Sequence, residues 1–191
     1  IRASVTRDLA RPAVATISQP AVTAALVRLL DTTMIRVGND EYARSNKSFG
    51  LTTLRKRHAS LTGTQLRLKF RGKSGIEHEV ALKDKRVARI VLRCQALPGQ
   101  ELFKYRDENG QTHSVGSGEV NDYLRAASGG DFTAKDFRTW HASAAALAPA
   151  QRVEWSWRLS RREARFSFPR AGQRVIYGFL RQIWQTFARP K

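Results

Sequence analysis

The sequence predicts a mainly α-helical, α+β domain with short β-hairpins, and three observations carry that expectation. Apolar residues recur at helical spacing in four stretches. Two shorter stretches alternate apolar and polar residues around glycine-containing turns. At 191 residues and 41% hydrophobic content, the chain is also long enough and apolar enough to bury one substantial core.

Residues 1–20 read as a linker or the remnant of an N-terminal domain, 21–150 as the main domain, and 151–191 as a basic, aromatic-rich tail. Within the main domain, "VTAALVRLL" (22–30) predicts a helix with Leu26, Leu29 and Leu30 on one face. Turns follow at Gly38-Asn39-Asp40 and from Asn46 to Gly50. "LTTLRKRHASLTG" leads into a hairpin whose arms carry Leu68 and Phe70 on one side and Val80 and Leu82 on the other, with Lys73 on the tip. Asp84 is placed to cap a helix with Val87, Ile90, Val91 and Cys94 on its apolar face, ended by Pro98-Gly99. A second hairpin turns at Asn109-Gly110. "SGEVNDYLRAASGG" predicts a helix capped by Ser117 and stopped by Gly129-Gly130. The last predicted helix starts at Thr133, with Asp136 in capping-box position and Phe137, Trp140 and Ala144 on one face.

Charge narrows the function. Lys and Arg number 34 against 16 Asp and Glu, a formal net charge of +18. That excess favours a polyanionic partner, and nucleic acid leads because phosphate contacts release counterions. An anionic membrane surface is the rival, but no basic amphipathic helix of the interfacial kind stands out and no stretch approaches a membrane span. An RNA-binding module would show a run of exposed aromatics that is missing here. One cysteine, Cys94, excludes an internal disulfide framework and fits a reducing interior. His58, His78 and His113 lack partners at metal-ligand spacing and read as ordinary polar residues. The chain begins with Ile1 and reads as a piece of something longer.

From residue type alone, Arg36, Lys73 and Arg138 form a possible phosphoryl-transfer set. Two planar guanidinium forks can grip the oxygens of one phosphate, and a mobile ammonium can protonate a leaving alkoxide. In so basic a chain, a solvated charged face explains any such trio equally well.

The text around those residues is more specific. "IRVGNDEYARSNKSFGLTTLRKRHA" (35–59), "FRGKSGIEHEV" (70–80), "LPGQELFKYRDENG" (97–110), "VNDYLR" (120–125) and "DFTAKDFRTWHA" (131–142) together resemble the bacterial, poxvirus-like type IB DNA topoisomerases. The site-specific recombinases share the basic trio but not the "IRVGNDEY…GLTTLR" text. The resemblance covers roughly residues 22–147 and implies a tyrosine-recombinase-like catalytic domain without the family's β-rich N-terminal clamp. It implies nicking and resealing of one strand of duplex DNA through a 3′-phosphotyrosyl bond, with no metal, nucleotide or small-molecule cofactor. Arg36 and Arg138 would clamp the phosphate and Lys73 would be the general acid. Tyr42, Arg55, Lys56 and Arg57 would contact DNA. A monomer in the bacterial cytoplasm, working on the nucleoid, is the implied setting.

The chain departs from the family where the nucleophile should lie. The family places a His or Asn nine residues before its tyrosine, in a segment like "NTPxxxRxxY". Here no His follows His141 and no Asn follows Asn121. Tyr177 is the remaining tyrosine after the clamp helix, with Phe168 in the place of the His or Asn. Residues 151–191 hold eight of the seventeen aromatics and nine arginines, so the family sequence is expected to stop near Ala150. Two functions therefore stand: a cleaving enzyme using Tyr177 or an intermolecular substitute, or a catalytically dead or truncated homologue that binds the DNA backbone alone.

Overall fold

The computed structural model describes residues 1–10 and 17–150. The chain divides into two compact units, Ile1–Arg138 and Thr139–Lys191. In order, the elements are α1 (Arg2–Ala10), α2 (Gln19–Thr33), α3 (Asp40–Asn46), β1 (Ala59–Thr62), β2 (Gln65–Arg71), β3 (Glu77–Lys83), α4 (Lys85–Ala96), β4 (Lys104–Arg106), β5 (Thr112–Ser114), α5 (Ser117–Ser128) and α6 (Ala134–Ala150). This is a mixed helix and sheet architecture, as expected. The compositional tail at 151–191, Tyr177 and Phe168 lie outside the described residues.

Helix α2 organises the first unit. The sequence predicts one apolar face, yet Val22, Ala24, Ala25, Leu26, Val27, Leu29 and Leu30 are all buried. A helix apolar on every side belongs inside a core, and α1, α4, α5 and β4 pack around this one. Pro20 fits its first turn, where a missing N–H costs nothing. Met34, in left-handed conformation at φ 57°, ends it by donating its N–H to the Leu30 carbonyl. Helix α1 occupies part of the stretch expected to be a linker or remnant. Its Val5 and Leu9 are buried in the same core as α2, and Arg2 pairs with Asp31 at 2.9 Å.

The first hairpin follows its alternating pattern. Strands β2 and β3 pair antiparallel with Leu68 opposite Val80 and Phe70 opposite His78. Leu66, Leu68 and Phe70 turn inward while their neighbours face solvent. Strand β1 adds a third, outer strand with Ala59 opposite Leu68. Beyond it, Asp84 caps α4 by accepting from the amides of Arg86 and Val87 at 2.9 and 3.1 Å. Its second oxygen accepts from Arg28 of α2 at 3.3 Å. Val87, Ile90, Val91 and Cys94 are buried as the spacing predicts.

Three local expectations are corrected. Helix α3 stands where only turns were read, because none of its seven residues is buried and no apolar period marks it. Gly116 rather than Ser117 caps α5, its amide donating to the Glu119 carboxylate at 2.7 Å. On α6, Phe137 packs against the core whereas Trp140 is exposed, so the apolar face is shorter than its spacing suggests.

Candidate active site

Arg36 is held by a backbone clasp between two distant stretches. Its carbonyl accepts from the Leu51 amide at 2.9 Å, and the Val37 carbonyl accepts from both the Thr52 amide at 2.7 Å and the Thr52 hydroxyl at 2.9 Å. Ile35, buried beside it, anchors the strand-like segment to the core. The clasp depends on two glycines. Gly38 has φ +108°, and a Cβ on Gly50 would come within 2.5 Å of the Gly38 Cα. The sequence reading missed this pairing of "IRVG" with "GLTT"; the glycines at both ends of the motif were its signal.

Lys73 follows β2 on the hairpin tip. Gly72 donates to the Ile76 carbonyl at 2.8 Å and Gly75 to the Gly72 carbonyl at 3.1 Å, closing the tip on itself. Ser74 and Gly75 both take positive φ, 64° and 74°. The Arg71 guanidinium lies over Gly75, where a Cβ would meet its Nη2 at 2.8 Å. The tip is thus a tightly folded turn with an exposed lysine on it.

Arg138 comes from the first turns of α6. The Asp136 carboxylate accepts from the Thr133 amide at 2.8 Å and hydroxyl at 2.7 Å, which holds that carboxyl below its ordinary range. The α6 start is tied to α5 by the Ala134 amide donating to Asn121 at 3.1 Å. Burial lowers the affinity of the Arg138 guanidinium for its proton, and the positive charge of Arg36 adds to the effect.

Arg36, Lys73 and Arg138 line one cavity of about 240 Å³, together with Tyr42, Phe49 and Lys135. Among the described residues, no carboxylate forms an ion pair with any of the three. Like charges gathered without a counter-ion repel, and an anion entering between them relieves that repulsion. Two guanidinium forks and an ammonium around one cavity can together stabilise negative charge on a phosphate placed between them.

The expected DNA contacts divide. Tyr42 is exposed on the cavity rim, with the Lys73 ammonium 5.8 Å from its ring centroid. Arg57 is exposed, and among the described residues its guanidinium reaches only the neighbouring His58, at 3.4 Å. Arg55 and Lys56 are engaged with the protein. Arg55 stacks over Phe49 at 5.7 Å and donates to Gln100 at 3.3 Å. The Lys56 ammonium donates to the Leu97 carbonyl just past α4. Buried Lys104 does the same for Pro98. Lys56 therefore satisfies the carbonyl of the α4 C-cap, and Lys104 that of the residue just beyond it. His58 accepts from the Arg55 amide at 3.0 Å, and His113 bonds to Asp107 at 2.8 Å, in keeping with ordinary polar roles. Among the described residues, no three His, Cys, Asp or Glu side chains gather as a metal site, and no helix is long and apolar enough to cross a membrane.

Comparison with known proteins gives this arrangement its family. Residues 1–170 match the model of the eukaryotic DNA topoisomerase I catalytic core. The chain belongs to the type IB DNA topoisomerase family. It is 34% identical over 113 residues to the DNA topoisomerase 1B of Acanthamoeba polyphaga mimivirus. That stretch is 57% of this chain and 34% of the relative, so the chain spans about a third of the viral topoisomerase's length. One expectation changes. A bacterial member on a bacterial nucleoid finds no support, since the family model is eukaryotic and the relative viral.

Proposed function

We propose that this chain is the strand-cleaving core of a type IB DNA topoisomerase. It opens and reseals one strand of duplex DNA without a metal or nucleotide. A tyrosine oxygen attacks the scissile phosphorus, the bond from phosphorus to the 5′ oxygen breaks, and a 3′-phosphotyrosyl bond remains. Arg36 and Arg138 hold the non-bridging oxygens as charge accumulates on them, and Lys73 passes a proton to the departing 5′ oxygen. Tyr42 and Arg57 fix the flanking backbone. Arg55 and Lys56 act at one remove, through the loops they brace. The observation that carries this reading is the meeting on one cavity of three cations, from three separate stretches of sequence, that no carboxylate among the described residues neutralises.

Tyr177 is the proposed nucleophile. The other tyrosines past α3 are engaged: Tyr105 donates to Glu119 at 3.3 Å and Tyr123 to Asp8 at 2.7 Å. Those bonds favour a second reading if Tyr177 is not used, a clamp that binds the duplex backbone without cutting it. A nicked suicide duplex separates the two. Covalent protein–DNA adduct that vanishes in Tyr177→Phe establishes cleavage. Salt-sensitive binding with no adduct establishes the clamp. In the cleaving case, Arg138→Ala lowers adduct formation by about a hundredfold or more while lowering affinity far less. Equal losses in both would reduce Arg138 to an ordinary phosphate contact.

A further inference from the structure

A second cavity, of about 420 Å³, adjoins the first and shares Arg36, Phe49, Lys73 and Arg138 with it. Its outer wall is formed by Met34 and Ile76, both more than half exposed, and by His78. His78 is out of place by composition. It occupies the inward row of β3 with Val80 and Leu82, and its cross-strand partner is Phe70. An apolar residue would fill that row as well.

The imidazole is fixed by packing alone. It lies on the Phe70 ring with centroids 5.1 Å apart and planes 14° from parallel. Its Cδ2 and Nε2 atoms press on buried Gly72, where a Cβ would come within 2.5 Å of each. Among the described residues, neither ring nitrogen makes a hydrogen bond or ion pair. Glu77 and Glu79, its neighbours along β3, sit on the opposite, exposed face of the strand. A half-buried imidazole held this rigidly, on a cavity walled by three cations, is ready to donate to an acceptor that the protein itself does not supply.

We propose that His78 is a further DNA-backbone contact. Its ring N–H donates to an oxygen of the phosphodiester next to the one held by Arg36, Lys73 and Arg138, with the intervening sugar against Met34 and Ile76. Such a contact fixes the register of the strand, so that the correct phosphorus faces the cations. The proposal rests on the strand-cleavage reading of the site.

The test uses the full chain and a short duplex. His78→Phe keeps a flat ring against Phe70 and Gly72 but removes both nitrogens. Its thermal midpoint is expected to match the parent's, and its affinity for the duplex to fall about fivefold, the size of one neutral hydrogen bond. In the parent, the His78 imidazole nitrogen resonances shift as the duplex is titrated in. Affinity equal to the parent's, or resonances that stay put while the duplex binds, overturns the proposal and leaves the cleavage reading standing. If His78→Phe fails to fold, the parent's resonances decide. A parent chain that binds no duplex overturns both.

Discussion

At the scale of single residues, the site depends on places where no side chain fits. The backbone at Arg36 is placed by the contact between Gly38 and Gly50, and among the described residues its side chain has no ion-pair partner. A methyl group on Gly50 would sit 2.5 Å from the Gly38 Cα, 2.6 Å from its nitrogen and 2.7 Å from the Arg36 carbonyl. All three are backbone atoms, so nothing flexible can yield. Gly50→Ala is therefore expected to lose about 1–3 kcal/mol of stability by overpacking, read from the urea midpoint. The proposed strand cleavage should fall further than that loss explains, because the strain is applied at the carbonyl of Arg36. A variant with parental stability and activity would show that the clasp is loose.

At the scale of elements, Asp84 joins three parts of the fold. It caps α4, accepts from Arg28 of α2, and follows directly on β3, whose hairpin bears Lys73. Asp84→Ala should cost about 1–2 kcal/mol, the upper range for a cap, since the Arg28 bond is lost with it. Thermal unfolding measures this; Asp84→Asn, which keeps the cap, should recover most of it. Elements of this kind were readable in advance. The alternation around Lys73, the Asp84 cap and the four-residue recurrence on α4 are local patterns, and local patterns survive folding. Helix α3 was not readable, since an element with no buried residue leaves no apolar signature. Nor was β1, whose partner strand decides its state. The candidate site shows the same division. The motifs named Arg36, Lys73 and Arg138, but their shared cavity comes from contacts across long stretches of chain. His78 was read as an ordinary polar residue because stacking on Phe70 and pressure on Gly72 exist only once the strands have paired.

At the scale of the whole first unit, Cys94 reports on global opening. It is buried against α2's core, and burial pushes its thiol up to about 11. At mildly alkaline pH, a thiol-reactive dye should label the native chain at least about a thousandfold more slowly than the urea-unfolded chain, since access requires unfolding. The sign of the pH effect follows. Above the ordinary thiol range the unfolded chain gives up this proton while the folded chain keeps it, so the thiol's contribution lowers stability as pH rises until about 11. Fast labelling under native conditions would show that α4 opens independently of the core.

The lysines at the end of α4 bear on how the basic excess should be regarded. The Lys56 and Lys104 ammonium groups brace the bend at Leu97 and Pro98. Burial and the neighbouring Lys56 hold the Lys104 ammonium below its ordinary proton affinity. A polyanion sliding over this protein therefore meets a sparser cationic surface than the formal tally of +18 implies. Charge removed at these two positions would loosen a bend in the scaffold.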